Sequence, residues 1–256
     1  MSATMAQEKQ IELSLHLGGS KPVGMNLLNG QFGFGSDVGI KFKYNIPYVD
    51  GLGIIATADF FWNGPSKKQK LYKESFINYV LNYIAESNYS YSDDLDDTHT
   101  IYNTYNKTEG VEADVILSNY INIPLMFGVN YEFEINDNFS LFGELGGGIN
   151  IAKITKYEEY NKYHSIHQDS SCPEYDYERY ETTIKGRKYD IQTNITCQVG
   201  GGIKFKDKFS LGIHYHILGN IELKGEKYSN DEYRSEPYNF GNFKTSILII
   251  RLGYHF

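Results

Sequence analysis

Residues Lys244–Phe256 read KTSILIIRLGYHF, and their alternation decides the fold. Leu248, Ile250, Leu252, Tyr254 and Phe256 fall on one parity. Thr245, Ile247, Ile249, Arg251, Gly253 and His255 fall on the other. A repeat of two belongs to an extended strand, whose successive side chains point to opposite faces; a helix repeats every ~3.6 residues. One face is apolar and finishes in aromatic rings. The other mixes charge, glycine and small polar groups with two isoleucines.

Seven earlier segments repeat the pattern. Leu13, Leu15 and Leu17 oppose Glu12, Ser14 and His16, and Val38, Ile40 and Phe42 oppose Asp37, Gly39 and Lys41. Ile54 and Phe60 oppose Thr57 and Asp59. The longest run sets Ile121, Ile123, Leu125, Phe127, Val129, Tyr131 and Phe133 against Asn122, Gly128, Asn130 and Glu132. Leu141, Leu145 and Ile149 oppose Glu144, Gly146 and Gly148. Ile195, Cys197 and Val199 oppose Thr196, Gln198 and Gly200, and Leu211, Ile213 and Ile217 oppose Ser210, His214 and His216. Eight strands suit a sheet closed on itself, which leaves no unpaired edge.

Three features choose which face turns inward. The polar face carries glycine and paired charges, which fill a narrow interior but make a poor pocket for an apolar ligand. Every second connection is short: Asn45 to Gly51, Glu134 to Asn138, and Lys206 to Lys208. The others run roughly 14, 55, 35 and 25 residues, the asymmetry of a membrane barrel with tight turns at one rim and outward loops at the other. Phe42, Tyr44, Tyr131, Phe133, Phe139, Phe205, Phe209, Tyr254 and Phe256 gather beside the short turns, as a girdle at a membrane–water boundary does. The expected fold is all-β: an eight-stranded antiparallel transmembrane β-barrel with long extracellular loops, spanning residues 7–256. Residues 1–6 read as a signal-peptide remnant or as residues added for expression. An even strand number puts both termini in the periplasm of a bacterial outer membrane.

Composition agrees. Tyr (23), Phe (15) and Gly (25) are abundant and favour pleated structure. No apolar run is long enough for a membrane-spanning helix. A net charge of −8 argues against nucleic acid as partner, because phosphate binding needs clustered Lys and Arg. Cys172 and Cys197 form no motif, and Cys197 is expected mid-strand facing lipid, out of reach of a bridge. No cofactor or metal set is evident. His214 and His216 share a face but lack a third ligand.

Two stretches carry a resemblance. Tyr120-Ile-Asn-Ile-Pro-Leu125 resembles a strand motif of Bacteroidota outer-membrane β-barrels, the PorT-like and small OmpX-like group. Ile250-Arg-Leu-Gly-Tyr-His-Phe256 resembles the C-terminal aromatic signal of such barrels, with Tyr254 and Phe256 read by barrel-assembly machinery. The resemblance covers the strands and implies fold and location. It leaves activity open, since such barrels include pores, adhesins, export components and enzymes.

Counting residues from the short-turn rim brings Glu12, His16, Asp37, Lys41, Asp59, Glu144, His214 and Arg251 to similar height inside. Arg251 is expected to pair with Glu144 or Asp59, beside His16 and His214. Such a cluster reads as a plug of mutually satisfied charges, or else as a proton-linked gate or catalytic pair. Among the outward loops, Lys67–Ala85 has helical spacing, and Asp93, Asp94, Asp96 and Asp97 form an acidic stretch without the spacing of a calcium loop. Tyr157, Tyr160, Tyr163, Tyr175, Tyr177 and Tyr180 read either as a recognition surface or as a tyrosine-lined ribbon.

The expected function is a surface barrel with a charge-plugged lumen, acting in recognition, adhesion or envelope structure through its Tyr-rich acidic loops. Its partners are outer-membrane lipid and lipopolysaccharide, the assembly machinery and an extracellular ligand. The alternatives are a narrow small-solute pore and a lipid A-modifying or protease-type barrel. For the last, His99, His164 and His167 lie in suitable loops without a nucleophile at any telling spacing.

Overall fold

The computed structural model describes residues 10–23, 32–86, 89–94, 101–169, 177–230 and 234–256. Its strands are β1 (Ile11–Val23), β2 (Phe32–Asn45), β3 (Leu52–Pro65), β4 (Tyr89–Asp94), β5 (Ile101–Ile116) and β6 (Tyr120–Asn136). They continue with β7 (Phe139–Ile154), β8 (Tyr157–Asp169), β9 (Tyr177–Tyr189), β10 (Gln192–Phe205), β11 (Phe209–Ser229) and β12 (Arg234–His255). Among the described residues one helix, α1 (Lys67–Glu86), follows β3, where the Ser66 hydroxyl accepts from the Gln69 N–H as a cap.

Eight strands close a ring. The order is β1-β2-β3-β6-β7-β10-β11-β12, and β12 returns to β1, every pair antiparallel. These are the segments whose alternation the sequence displays. The remaining four extend the same sheet outward in the order β11-β9-β8-β5-β4. The expectation of eight strands with loops between them is therefore corrected to a twelve-stranded sheet. Among the added strands, β8 and β9 place Tyr and charged residues on both faces, so they lack the one-sided apolar alternation that marks a buried face.

The short turns sit at one rim. Lys206 and Asp207 both adopt positive φ (48° and 53°), closed by the Lys208 N–H donating to the Phe205 carbonyl. Such a turn matches the right-handed twist of its flanking strands. At Asp137–Asn138, the Asn136 side chain accepts from the N–H groups of Asn138 and Phe139. Gly51 (φ 76°) brings its carbonyl to the Glu132 N–H at 2.7 Å, which ties the first turn to the next hairpin.

Burial is inverted relative to a water-soluble barrel. Leu17, Phe127 and Leu252 are 65%, 72% and 65% exposed, while Asp59, Lys204 and Arg251 are 2%, 3% and 5% exposed. Buried apolar side chains concentrate at the outward end of the lumen. Phe61, Tyr120, Ile154, Leu218, Ile221, Ile247 and Ile249 pack there as one cluster, against the edge of His216. Charges fill the part of the lumen nearer the short turns, and an apolar cap closes the outward part.

Gly219 shapes that cap. It has φ +81°, and the β11–β12 register shifts between Ile217 and Gly219. A bulge inserts one residue and so reverses which parity faces inward. His214 and His216 point in before it, Leu218 fills the bulge fully buried, and Ile221 and Leu223 point in after it. Beyond this point β11 leaves β10 and pairs with β9.

Candidate functional site

Arg251 centres the middle of the lumen. Its Nε and Nη2 donate to the two oxygens of Asp37 at 2.6 and 3.1 Å, a bidentate pair. Nη2 lies 3.0 Å from Asp59 Oδ2, a contact between charges too bent for a hydrogen bond. Asp59 Oδ1 is 2.6 Å from His16 Nε2. Alongside, Lys41 Nζ reaches Glu144 Oε1 at 2.5 Å, the Asn130 amide donates to the same oxygen, and His214 Nδ1 is 3.8 Å from Oε2. His16, Asp37 and Asp59 bring three ligand atoms within 4.8 Å of one another, a spacing that suits a metal. Arg251 already supplies the positive charge at that point.

Glycine makes these pairs fit. Arg251, Gly18 and Asp37 stand opposite one another across β12, β1 and β2. His16, Gly39 and Asp59 do so across β1, β2 and β3, and Glu144, Gly200 and His214 across β7, β10 and β11. Strands two apart are separated by roughly 9.5 Å, so the partners must meet over the intervening residue. A methyl at Gly39 would run into both His16 Nε2 and Asp59 Oδ1; one at Gly200 would enter the His214 ring.

A second tier lies toward the short turns. Lys204 Nζ donates to Glu12 Oε2 at 2.7 Å and reaches Glu132, which also pairs with Lys43 at 2.6 Å. His255 Nδ1 is 2.6 Å from Glu12 Oε1 and 2.8 Å from the Ser14 hydroxyl, and its Nε2 is 2.9 Å from Ser210 Oγ. Ser210, His255 and Glu12 are connected in the order of a nucleophile, base and acid. The open space beside them, about 20 Å³ bounded by Ser14, Ser210, His255 and Arg251, has room for about one water. No substrate fits against Ser210 there, and the three groups act as a satisfied polar network.

All eight residues expected in the interior face inward, in two groups. Glu12 belongs to the second tier with Lys204, not to the Arg251 group, and Glu144 pairs with Lys41 rather than Arg251. The reason is stagger: a closed barrel offsets adjacent strands, so Arg251 faces Gly18 and not His16. Lys43, Glu132, Lys204, His255 and Ser210 were absent from the expected cluster. Their signal is inward parity a few residues from a short turn.

The outward tyrosines form a ribbon. Tyr157 and Tyr72 both donate to Glu159 Oε1, at 2.6 and 2.9 Å, and burial together with that carboxylate raises both phenols. Tyr228 lies across Gly186 to donate to Glu158 at 2.6 Å; burial and Glu158 push its phenol up to about 12. Tyr163 donates to Glu181. Tyr180 stacks flat on His164 at 4.2 Å, and Tyr177 and Tyr180 are the exposed rings of β9. Tyr160 is partly exposed on β8. The helix is anchored by Lys73, which holds the Asp114 carboxyl below its ordinary range. Tyr254 and Phe256 pack edge to face, exposed at the short-turn rim. Cys197 is free and exposed on the outer face. Residues 1–6, His99, Cys172, Tyr175, Asp96 and Asp97 lie outside the described residues, as does the side chain of His167.

No protein-family model matches this sequence, and no curated protein matches it. Among solved structures, it is similar to Ail of Yersinia pestis at 12% identity and a TM-score of 0.36, over 97% of this chain and 100% of that one. It is also similar to Neisserial surface protein A (10%, 0.35, 96% and 97%) and to the outer membrane protein OprG of Pseudomonas aeruginosa (9%, 0.40, 96% and 95%). Likeness at this level carries no argument here. The fold rests on the chain's own strand pairings.

Proposed function

We propose that this chain is an integral outer-membrane barrel with a closed lumen, whose outward sheet serves surface recognition or envelope structure. The observation that carries the reading is the inverted burial: apolar residues ring the outside of eight strands while paired charges fill the inside. In water, such an exterior would be an adhesive patch far beyond what soluble chains expose; in lipid it is solvated. Along β7 the outer face is apolar from Leu141 to Ile151. Ten residue steps at a strand tilt of about 40° rise ~25 Å, the height of an outer-membrane apolar band.

The lumen favours a barrel that does not conduct. Ion pairs block it nearer the short turns, and the cap of Phe61, Tyr120, Leu218, Ile247 and Ile249 closes it outward. Function then resides in the twisted outward sheet, where exposed Tyr177 and Tyr180 offer rigid contact area at low entropic cost. The outer-membrane placement, the periplasmic termini and a Bacteroidota origin belong to this proposal. Reconstitution into planar bilayers tests it: the protein inserts, shifts its gel mobility on heating, and gives no stepwise conductance. Discrete channel openings would replace the closed-lumen reading with a pore.

A further inference from the structure

Four of the chain's seven histidines lie in the lumen: His16, His214, His216 and His255. Two have a carboxylate at 2.6 Å, His16 on Asp59 and His255 on Glu12. His214 stands 3.8 Å from Glu144, within reach of that acid. His216 differs. It is fully buried, and neither ring nitrogen has a hydrogen-bond partner. Its edge meets the Phe61 ring at 5.1 Å between centroids, and Arg251 lies 5.8 Å from the centre of that same ring. The ionisable groups acting on His216 are Arg251 on β12, Asp59 on β3, His16 on β1 and His214 on its own strand. Asp59 is the acid among them, and both its oxygens are committed, Oδ1 to His16 and Oδ2 to Arg251. Gln198, the cross-strand neighbour on β10, brings no charge.

Lumen charge is already close to balance. The acids Glu12, Asp37, Asp59, Glu132 and Glu144 face the cations Arg251, Lys41, Lys43 and Lys204, so one negative charge is in excess. A proton on His16 or His255 offsets it. A proton on His216 is then a surplus cation beside Arg251.

The barrel wall is weakly closed just beyond His216. The β10–β11 ladder ends at Cys197 and Ile217, although β10 continues along β7 to Gln192. Past that point β11 bulges at Leu218 and Gly219, and side chains join the two strands. The Thr196 hydroxyl donates to the Ile217 carbonyl at 2.9 Å, and the Asn194 amide reaches the Asn220 carbonyl. Farther out β11 carries β9, and through it the rest of the outward sheet.

We infer that His216 is an acid sensor, whose protonation releases the outward half of β11 from β10 and moves the outward sheet with it. The inference rests on the membrane-barrel reading above and adds a trigger to it. An imidazole changes charge between about pH 8 and about pH 5. Proton uptake sets a second cation against Phe61 in an interior where like charges repel far more strongly than in water. The closed seam is therefore favoured above that range and is lost as the pH falls through it. The seam yields first because side-chain bonds rather than a backbone ladder hold it, and the bulge at Gly219 is its hinge.

The test places a nitroxide pair at Ile195 and Asn220, outer-face residues on either side of the seam, with Cys172 and Cys197 changed to serine in the full-length chain. Dipolar broadening in lipid vesicles reads their separation at about pH 8 and about pH 5, the limits of imidazole titration. Heat-shifted gel mobility at the upper pH reports the barrel independently. With His216 intact, acid should lengthen the separation by about 5 Å or more, one strand spacing, and neutralisation should restore it. His216→Gln, and His216→Met as a second non-titrating replacement, should keep the short separation at both pH values. No lengthening with His216 intact overturns the inference while leaving the barrel reading in place. Equal lengthening in the His216 variants also overturns it, by placing the response in another group. Loss of the heat shift at the upper pH with His216 intact would instead remove the membrane reading beneath it.

Discussion

Replacing Arg251 with methionine tests the lumen most sharply. Arg251 is 5% exposed and is the cation for Asp37 and Asp59, each 2% exposed. Methionine fills similar volume but leaves Asp37 without its bidentate partner and Asp59 with only His16. Breaking a buried pair from one side costs about 3–5 kcal/mol, because the surviving charge stays desolvated. The companion substitution Asp37→Asn removes one of the stranded charges, so the double variant Arg251→Met/Asp37→Asn should recover part of the loss. Urea unfolding in lipid vesicles reads the cost, with the fluorescence of Trp62, the chain's one tryptophan, as reporter; its ring faces outward on β3. A single variant within ~0.5 kcal/mol of the parent would refute the reasoning. So would a double variant no better than the single.

Other expectations follow from the same geometry. Ile213→Arg places a charge on the outer face, where Ile213 is 58% exposed, and should cost ~2–4 kcal/mol in the same assay if that face meets lipid; a neutral result argues that it meets water. Gly39→Ala forces His16 off Asp59 and should destabilise the barrel by about 1–3 kcal/mol, whereas Gly19→Ala, with open space at its Cβ, should be tolerated. Equal unfolding curves for these two variants would remove the case for glycine as a gap between ion partners. Gly186→Ala drives Tyr228 off Glu158 and should speed protease cutting of β8 and β9 with the heat shift unchanged. Protease added to intact cells should cut between Ser66 and Asn106 or between Tyr157 and Lys188 and spare the turns at Asp50 and Asp137; early cutting at those turns would invert the topology.

The barrel was legible because lipid contact on one face and close packing on the other enforce strict alternation over each strand. Where that constraint ends, so did the reading. The parity reversal at Gly219 hid the outer half of β11 behind what looks like a loop, since inward residues change from His214 and His216 to Ile221 and Leu223. Strands β8 and β9 place Tyr and charge on both faces and offer no period-two contrast. Inside, parity named the right side chains, but pairing depended on stagger. A two-residue shift of register decides whether Arg251 faces Gly18 or His16, and no local pattern records it. Ser14 shows the limit of parity most plainly. By parity it is one more small residue of the inner face. It is 1% exposed and hydrogen-bonds His255, so enlargement there should be costly.

The central claim is that the apolar face of these strands lies in lipid. Spin labels placed singly at Leu248, Ile250 and Leu252, with Cys172 and Cys197 changed to serine, read it directly in reconstituted vesicles. Collisions with dissolved oxygen should be frequent at all three positions, and collisions with a water-soluble nickel chelate rare, with the deepest label at or next to Ile250. Free access of the nickel chelate to these outward-facing positions would contradict the account.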